Sequence, residues 1–137
     1  MIFLTLSYIL NFNEPKVDKN EVTCLANTLY VEARGESLIG KVAVAKVVLN
    51  RVDDSNFPDS ICDVVQDPGE FPQASNKKSA DLVWKKVQSL SEFIIKYNDI
   101  IVDPTNGALF FHTSNIKPYW AEEFEKVAKI DSHIFYK

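Results

Sequence analysis

The sequence has few of the residues that announce specialised chemistry or architecture. Two cysteines among 137 residues rule out a disulfide scaffold and leave either one bridge, in an oxidising compartment, or two buried thiols. The two histidines, His112 and His133, belong to no HExxH- or CxxC-like spacing, so no metal or other cofactor is implied. No run of Lys and Arg interleaves with aromatics, and a net charge of -4 supplies no field for a phosphate backbone; nucleic acid is not expected as a partner. Long apolar runs are also missing. The stretch "IFLTLSYIL" at residues 2–10 is about half the ~20 residues that a membrane helix needs. It has the length of a signal-peptide core but lacks a preceding positive charge and a small-x-small cleavage site, so it reads as a signal-like segment or as an extra element packed on the domain.

What remains is a 46% hydrophobic chain suited to one compact domain of modest core. The polar "NFNEPKVDKN" with Pro15 reads as a linker, which divides the chain into an apolar start and linker, 1–17, and a domain, 18–137. Asp18 with Glu21 resembles a capping box, and the helix that follows places Leu25, Leu29 and Glu32 on one face. Gly35 suits the C-cap of that helix and Ser37 the start of the next, "LIGKVAVAKVVLNRV", whose apolar residues on nearly every side put it in the middle of the fold. "DDSNFPDS" and "QDPGEFPQASNKKS" are loops around a short helix near Ile61 to Val65. A further amphipathic helix runs from Ser79 to about Tyr97, with Trp84 expected in the core rather than on the surface as a sugar platform. Asn106 and Gly107 turn the chain into a short strand over 108–112; "IKPYWAEEFEKVAKI" turns at Pro118 into a last short helix, and "HIFYK" is β-prone and able to pair with that strand. The expected fold is α+β, mainly α, with a small β element near the C-terminus.

The stretch "TLYVEARGES" holds the clearest chemical signal. Glu32 and Glu36 around Arg34 could be a solvated helix end with an ion pair of little worth. Position argues against equivalence. Glu32 shares a face with leucines and ends its helix, where burial and the negative dipole end both disfavour its anion, so its pKa should rise. Glu36 sits at the start of the next helix, where free N–H groups favour negative charge. A protonated glutamic acid beside a loop-lined cleft is what glycosidic cleavage requires, because the leaving oxygen must be protonated as oxocarbenium character develops. Phe110, Phe111, Tyr119 and Trp120 could supply apolar faces for a sugar ring.

The pieces "CLANTLYVEARGESLIGKVAVAKVVLNRV", "FPDSICDVVQ", "GEF", "GALFFHTSNIKPYWA" and "HIFY", in this order from Cys24 to the C-terminus, resemble the SleB-type cell wall hydrolases, the spore cortex-lytic enzymes and their bacterial and phage relatives. The resemblance implies a lysozyme-like, mainly α domain. It implies cleavage of the peptidoglycan glycan strand between N-acetylmuramic acid and N-acetylglucosamine, by lytic transglycosylation leaving 1,6-anhydromuramoyl ends. The family's single catalytic glutamate falls on Glu32. Glu36, Arg51, Phe71, His112, Tyr119 and Trp120 carry over as substrate-binding or site-bracing positions, and His133 matches a family position for which a structural role is equally expected. Glu70, Pro72 and Asp131 depart from the family's pattern, Asp131 standing where a turn glycine is usual. The resemblance further implies peptidoglycan glycan strands as partner, a monomer, no stable membrane span, and a place at the cell wall, whether the chain is secreted by a bacterium or is a phage lysis protein. Three other readings compete: a hydrolytic muramidase or glucosaminidase at the same site, a Cys/His amidase using Cys24 and His112, and a non-catalytic peptidoglycan-binding module.

Overall fold

A computed structural model of the chain describes residues 15–67, 70–71 and 81–137. The signal-like start, Pro72 and most of the "QDPGEFPQASNKKS" loop lie outside the described residues. Helices α1 (Lys19–Glu32), α2 (Leu38–Asp53), α3 (Ile61–Gln66) and α4 (Leu82–Lys96) precede strand β1 (Phe110–Thr113), a 310 helix (Tyr119–Glu122), β2 (Lys126–Ile130) and β3 (His133–Tyr136). The fold is mainly α with a small sheet near the C-terminus, as the sequence predicts.

Each helix begins at a side-chain cap. Asp18 accepts from the N–H of Asn20, Ser37 from Gly40, Ser60 from Asp63 and Asp81 from Val83, which satisfies donors that a helix start otherwise leaves bare. Two expectations fail here. Glu21 does not close a capping box; its carboxylate accepts instead from the N–H groups of Ile61 (2.7 Å) and Cys62 (3.3 Å), at the start of α3, where two free donors and the positive helix end outcompete the local partner. Nor does Gly35 cap α1: the helix ends at Glu32 with Ala33 as cap, and among the described residues Gly107 is the glycine that takes a positive φ.

Helix α2 is central. Ala43, Val44, Ala45, Val47 and Val48 are fully buried among α1, α3, α4 and the sheet, and each buried valine contributes on the order of 1.5–3 kcal/mol. Lys46 lies within this run, its ammonium donating to Asn98 through the backbone oxygen (3.0 Å) and Oδ1 (2.7 Å). A disulfide joins Cys24 in α1 to Cys62 in α3, with Cα atoms 5.2 Å apart. Trp84 is buried against Tyr30, as expected of a core anchor.

The sheet runs β1-β3-β2, all antiparallel. "HIFY" is its central strand and pairs with β1 with Phe110 opposite Tyr136. The last helix expected after Pro118 is only the 310 turn; "KVAKI" extends as β2 instead. The β-branched Val127 and Ile130 pack on the core from an edge strand, and pairing with β3 overrides the weak helical spacing of that segment. Between β2 and β3, Asp131 adopts φ +50°, and its carboxylate accepts from the N–H (2.9 Å) and hydroxyl (2.6 Å) of Ser37. The aspartate thus fills a left-handed turn and clamps the hairpin onto the start of α2. A side chain on Gly40 would collide with it.

Candidate active site

A cleft of about 700 Å³ opens between the helices and the sheet. Three groups of elements supply its walls. Glu32 comes from the end of α1, Arg51 from the last turn of α2, and Glu70 and Phe71 from the loop after α3. Strand β1 supplies Phe110 to Thr113. The 310 segment supplies Ile116, Pro118, Tyr119, Trp120, Glu123 and Phe124.

Glu32 is half-buried, and burial raises its pKa above the ordinary carboxyl value. Among the described residues its carboxylate has no hydrogen bond or ion pair, so nothing there competes for its proton. The expected neighbour, Arg34, turns away: it lies over the Tyr30 ring (4.3 Å) and reaches Asp81 at 3.6 Å, while the Tyr30 hydroxyl donates to the same carboxylate at 2.6 Å.

Arg51 is only 5% exposed and organises the cleft floor. Its Nε donates to the Leu109 carbonyl (2.7 Å), its Nη1 donates to Glu70 (2.9 Å), and Phe57, Phe71 and Phe110 enclose the guanidinium. One planar cation thereby ties α2, the loop and β1 together. Above it the rings form two groups. Phe110 stacks on Phe124 at 4.2 Å and meets Trp120 at 5.8 Å, while Phe71 meets Phe111 at 6.2 Å. Tyr119 stands at the rim, 90% exposed, presenting a free ring to solvent.

His112 lines the cleft without being free to act in it. Its Nδ1 faces the Thr113 carbonyl at 2.7 Å, which can only accept, so Nδ1 carries a proton; Nε2 accepts from the Tyr136 hydroxyl at 2.8 Å in the neutral ring. The cysteine–histidine pair has no support in this geometry, because Cys24 is bridged.

Of the positions singled out in the sequence, Glu32, Arg51, Phe71, His112, Tyr119 and Trp120 come together in one cleft. Glu36 does not. Its carboxylate accepts from the Ser132 hydroxyl and backbone N–H and lies 3.4 Å from His133 Nδ1, in the junction between α2 and the β2–β3 hairpin. Helix-start N–H groups attract an anion there, but the hairpin turn supplies stronger donors and draws the side chain away from the cleft. His133 is 1% exposed, and burial pushes its pKa down against the opposing pull of Glu36 and Asp131. Its ring abuts Phe111 edge-on at 5.1 Å, behind the cleft wall. Sequence reasoning missed Thr113, Ile116, Glu123 and Phe124, which reach the cleft because the segment after β1 folds back over it; Phe124, an aromatic among glutamates in "AEEFEK", was the available signal.

Comparison with known proteins places this arrangement. A family model described as Cell Wall Hydrolase matches residues 35–136, a range that starts just after Glu32. The chain is 31% identical to a spore cortex-lytic enzyme of Bacillus cereus over 122 residues, 87% of this chain and 45% of that protein. It is 30% identical to the spore cortex-lytic enzyme of Oceanobacillus iheyensis over 120 residues, 87% of this chain and 42% of that protein. The chain thus spans less than half the length of these curated relatives. Among solved structures, the catalytic domain of the Bacillus cereus SleB protein superposes with a TM-score of 0.69 at 30% identity, covering 93% of this chain and 98% of that one. The catalytic domain of the germination-specific lytic transglycosylase SleB from Bacillus anthracis gives a TM-score of 0.69 at 30% identity, covering 88% and 97%.

Proposed function

The chain belongs to the cell wall hydrolase family, and from that membership we propose that residues 18–137 form a peptidoglycan-cleaving domain acting as a lytic transglycosylase with Glu32 as its general acid and base. The observation that carries this reading is the state of Glu32: half-buried, its pKa raised by burial, unpartnered among the described residues, and on the wall of an aromatic-lined cleft.

In the proposed reaction Glu32 donates its proton to the glycosidic oxygen between N-acetylmuramic acid and N-acetylglucosamine as the C1–O bond breaks. The muramoyl C6 hydroxyl oxygen then attacks C1, and the Glu32 carboxylate takes that hydroxyl's proton. The acid is restored, a 1,6-anhydro ring closes, and no water is consumed. Arg51 acts by fixing the loop and β1 against α2, and Tyr119, Trp120 and Phe71 give sugar rings apolar faces. Such a domain works at the cell wall, as a secreted bacterial protein or a phage lysis protein. Mass spectrometry of fragments released from purified sacculi tests the proposal. Anhydro-muramoyl ends are expected; ordinary reducing muramic acid or glucosamine ends would make the enzyme a hydrolase, and intact sacculi with bound protein would make it a binding module.

A further inference from the structure

The charges lining the cleft are uneven. Glu32 aside, the ionisable groups of interest there are Glu70, Glu123, Arg51 and His112. Arg51 offers a ligand little: it is 5% exposed, three phenyl rings enclose it, and its Nε and an Nη1 N–H donate to the Leu109 carbonyl and to Glu70. Both His112 nitrogens are engaged within the protein. Glu70 is arranged the other way round. Its Oε2 accepts from Arg51, and with its side chain 46% exposed the carboxylate also meets the open space of the cleft. The pair is therefore a dipole with its positive end in the floor and its negative end toward the substrate. Glu123, exposed on the rim beside Trp120, adds negative charge, and no further cation offsets it among the described lining residues.

Among the described lining residues an incoming carboxylate would meet mainly like charge and ring faces. A protonated amine would meet an oriented carboxylate at Glu70 and the negative faces of Tyr119 and Trp120. We propose that Glu70 sets the specificity of this cleft, favouring glycan whose amino sugars are N-deacetylated, and so carry an ammonium group, over fully N-acetylated glycan. The inference rests on the reading of the cleft as a glycan site, and deepens it by naming the charge of the sugar it takes.

The test uses peptide-free glycan strands before and after enzymatic N-deacetylation, with binding measured by calorimetry at slightly acidic pH in a Glu32→Gln background that prevents turnover. The deacetylated strand should bind more tightly. Adding Glu70→Gln, which keeps an acceptor for Arg51, should shrink the preference by about 1.5- to 5-fold, the range of a partly exposed charge pair. Rising salt should erode the preference while Glu70 is present and find little left to erode once Glu70→Gln is added. If both strands lose affinity together and their ratio stays fixed, Glu70 is only a clamp for Arg51 and the specificity role is overturned. Should the Glu70→Gln protein fail to fold, the salt series alone decides: a preference insensitive to salt overturns the proposal. Binding to both strands without preference removes the role of Glu70 and leaves the glycan site standing; binding to neither removes the glycan site itself.

Discussion

The end of α1 and the start of α2 each carry a glutamate, and the protein treats the two in opposite ways. At the end of α1, Glu32 is half-buried with no partner among the described residues, and burial raises its pKa. At the start of α2, Glu36 is held by Ser132 and faces His133, while the adjoining Ser37 is held by Asp131. The helix junction thus separates a carboxyl left without a partner among the described residues from a carboxylate kept busy. A residue's partners, rather than its type or its place in a short motif, decide which of these it becomes. A lone half-buried acid costs stability that the fold must recover elsewhere, and the neighbouring brace is one place where it does.

Changing the unpartnered side should have the largest effect. Glu32→Gln preserves shape and removes the proton, so lysis of purified sacculi should fall by roughly 10²- to 10⁴-fold with circular dichroism unchanged. A near wild-type rate would remove Glu32 from the mechanism. Next in size is the clamp that steadies α1. Replacing Cys24 and Cys62 by Ala opens a link of sequence separation 38; in the chain-entropy model this should lower unfolding free energy by about 3 to 4 kcal/mol in urea titrations. An unchanged midpoint would show that the bridge contributes little to stability. Glu36→Gln addresses the braced side and should cost about 1 kcal/mol, as one charge-assisted hydrogen bond weakens, while activity stays within a few-fold of wild type. An inactive, folded Glu36→Gln enzyme beside an active Glu32→Gln enzyme would reverse the comparison.

The smallest effect is a pH-dependent one and sharpens the same contrast. Because the folded-state pKa of Glu32 lies above its unfolded value, its contribution to stability is fully present below the unfolded value and is lost as pH rises through the folded one. Glu32→Gln should therefore melt higher than wild type near neutral pH, and the gap should close in acid. His133 works in the other sense. Its folded-state pKa is lowered, so the unfolded chain binds the extra proton first, and stability should decline as pH falls below about 6.5. A His133→Asn protein should lose that acid sensitivity in thermal melts.

Much of this was legible in the sequence because it depends on local periodicity. The leucine face that carries Glu32, the apolar run of α2, the Ser37 cap and the pairing of "HIFY" with the strand before it all follow from spacing and propensity. What escaped depends on partners distant in sequence. Nothing near Glu36 announces Ser132, nothing near Glu21 announces the start of α3, and Arg34 finds Asp81 rather than either glutamate. The segment after Pro118 misled for a related reason: Val127 and Ile130, three apart, fit one face of a short helix, and in the strand both reach the core only because the pairing with β3 is irregular at Val127. Cleft residues Glu123 and Phe124 were hidden by the same fold-back.

The bridge between Cys24 and Cys62 also ties the enzyme's maturation to geography. Thiols stay reduced in the cytosol and pair outside it, so a chain still in the cytosol lacks the covalent tie between α1, which carries Glu32, and α3. Under the proposed function, export would close that tie on the same side of the membrane as peptidoglycan. A domain of the proposed activity would then reach full robustness only where its substrate lies, and so would be safer to synthesise.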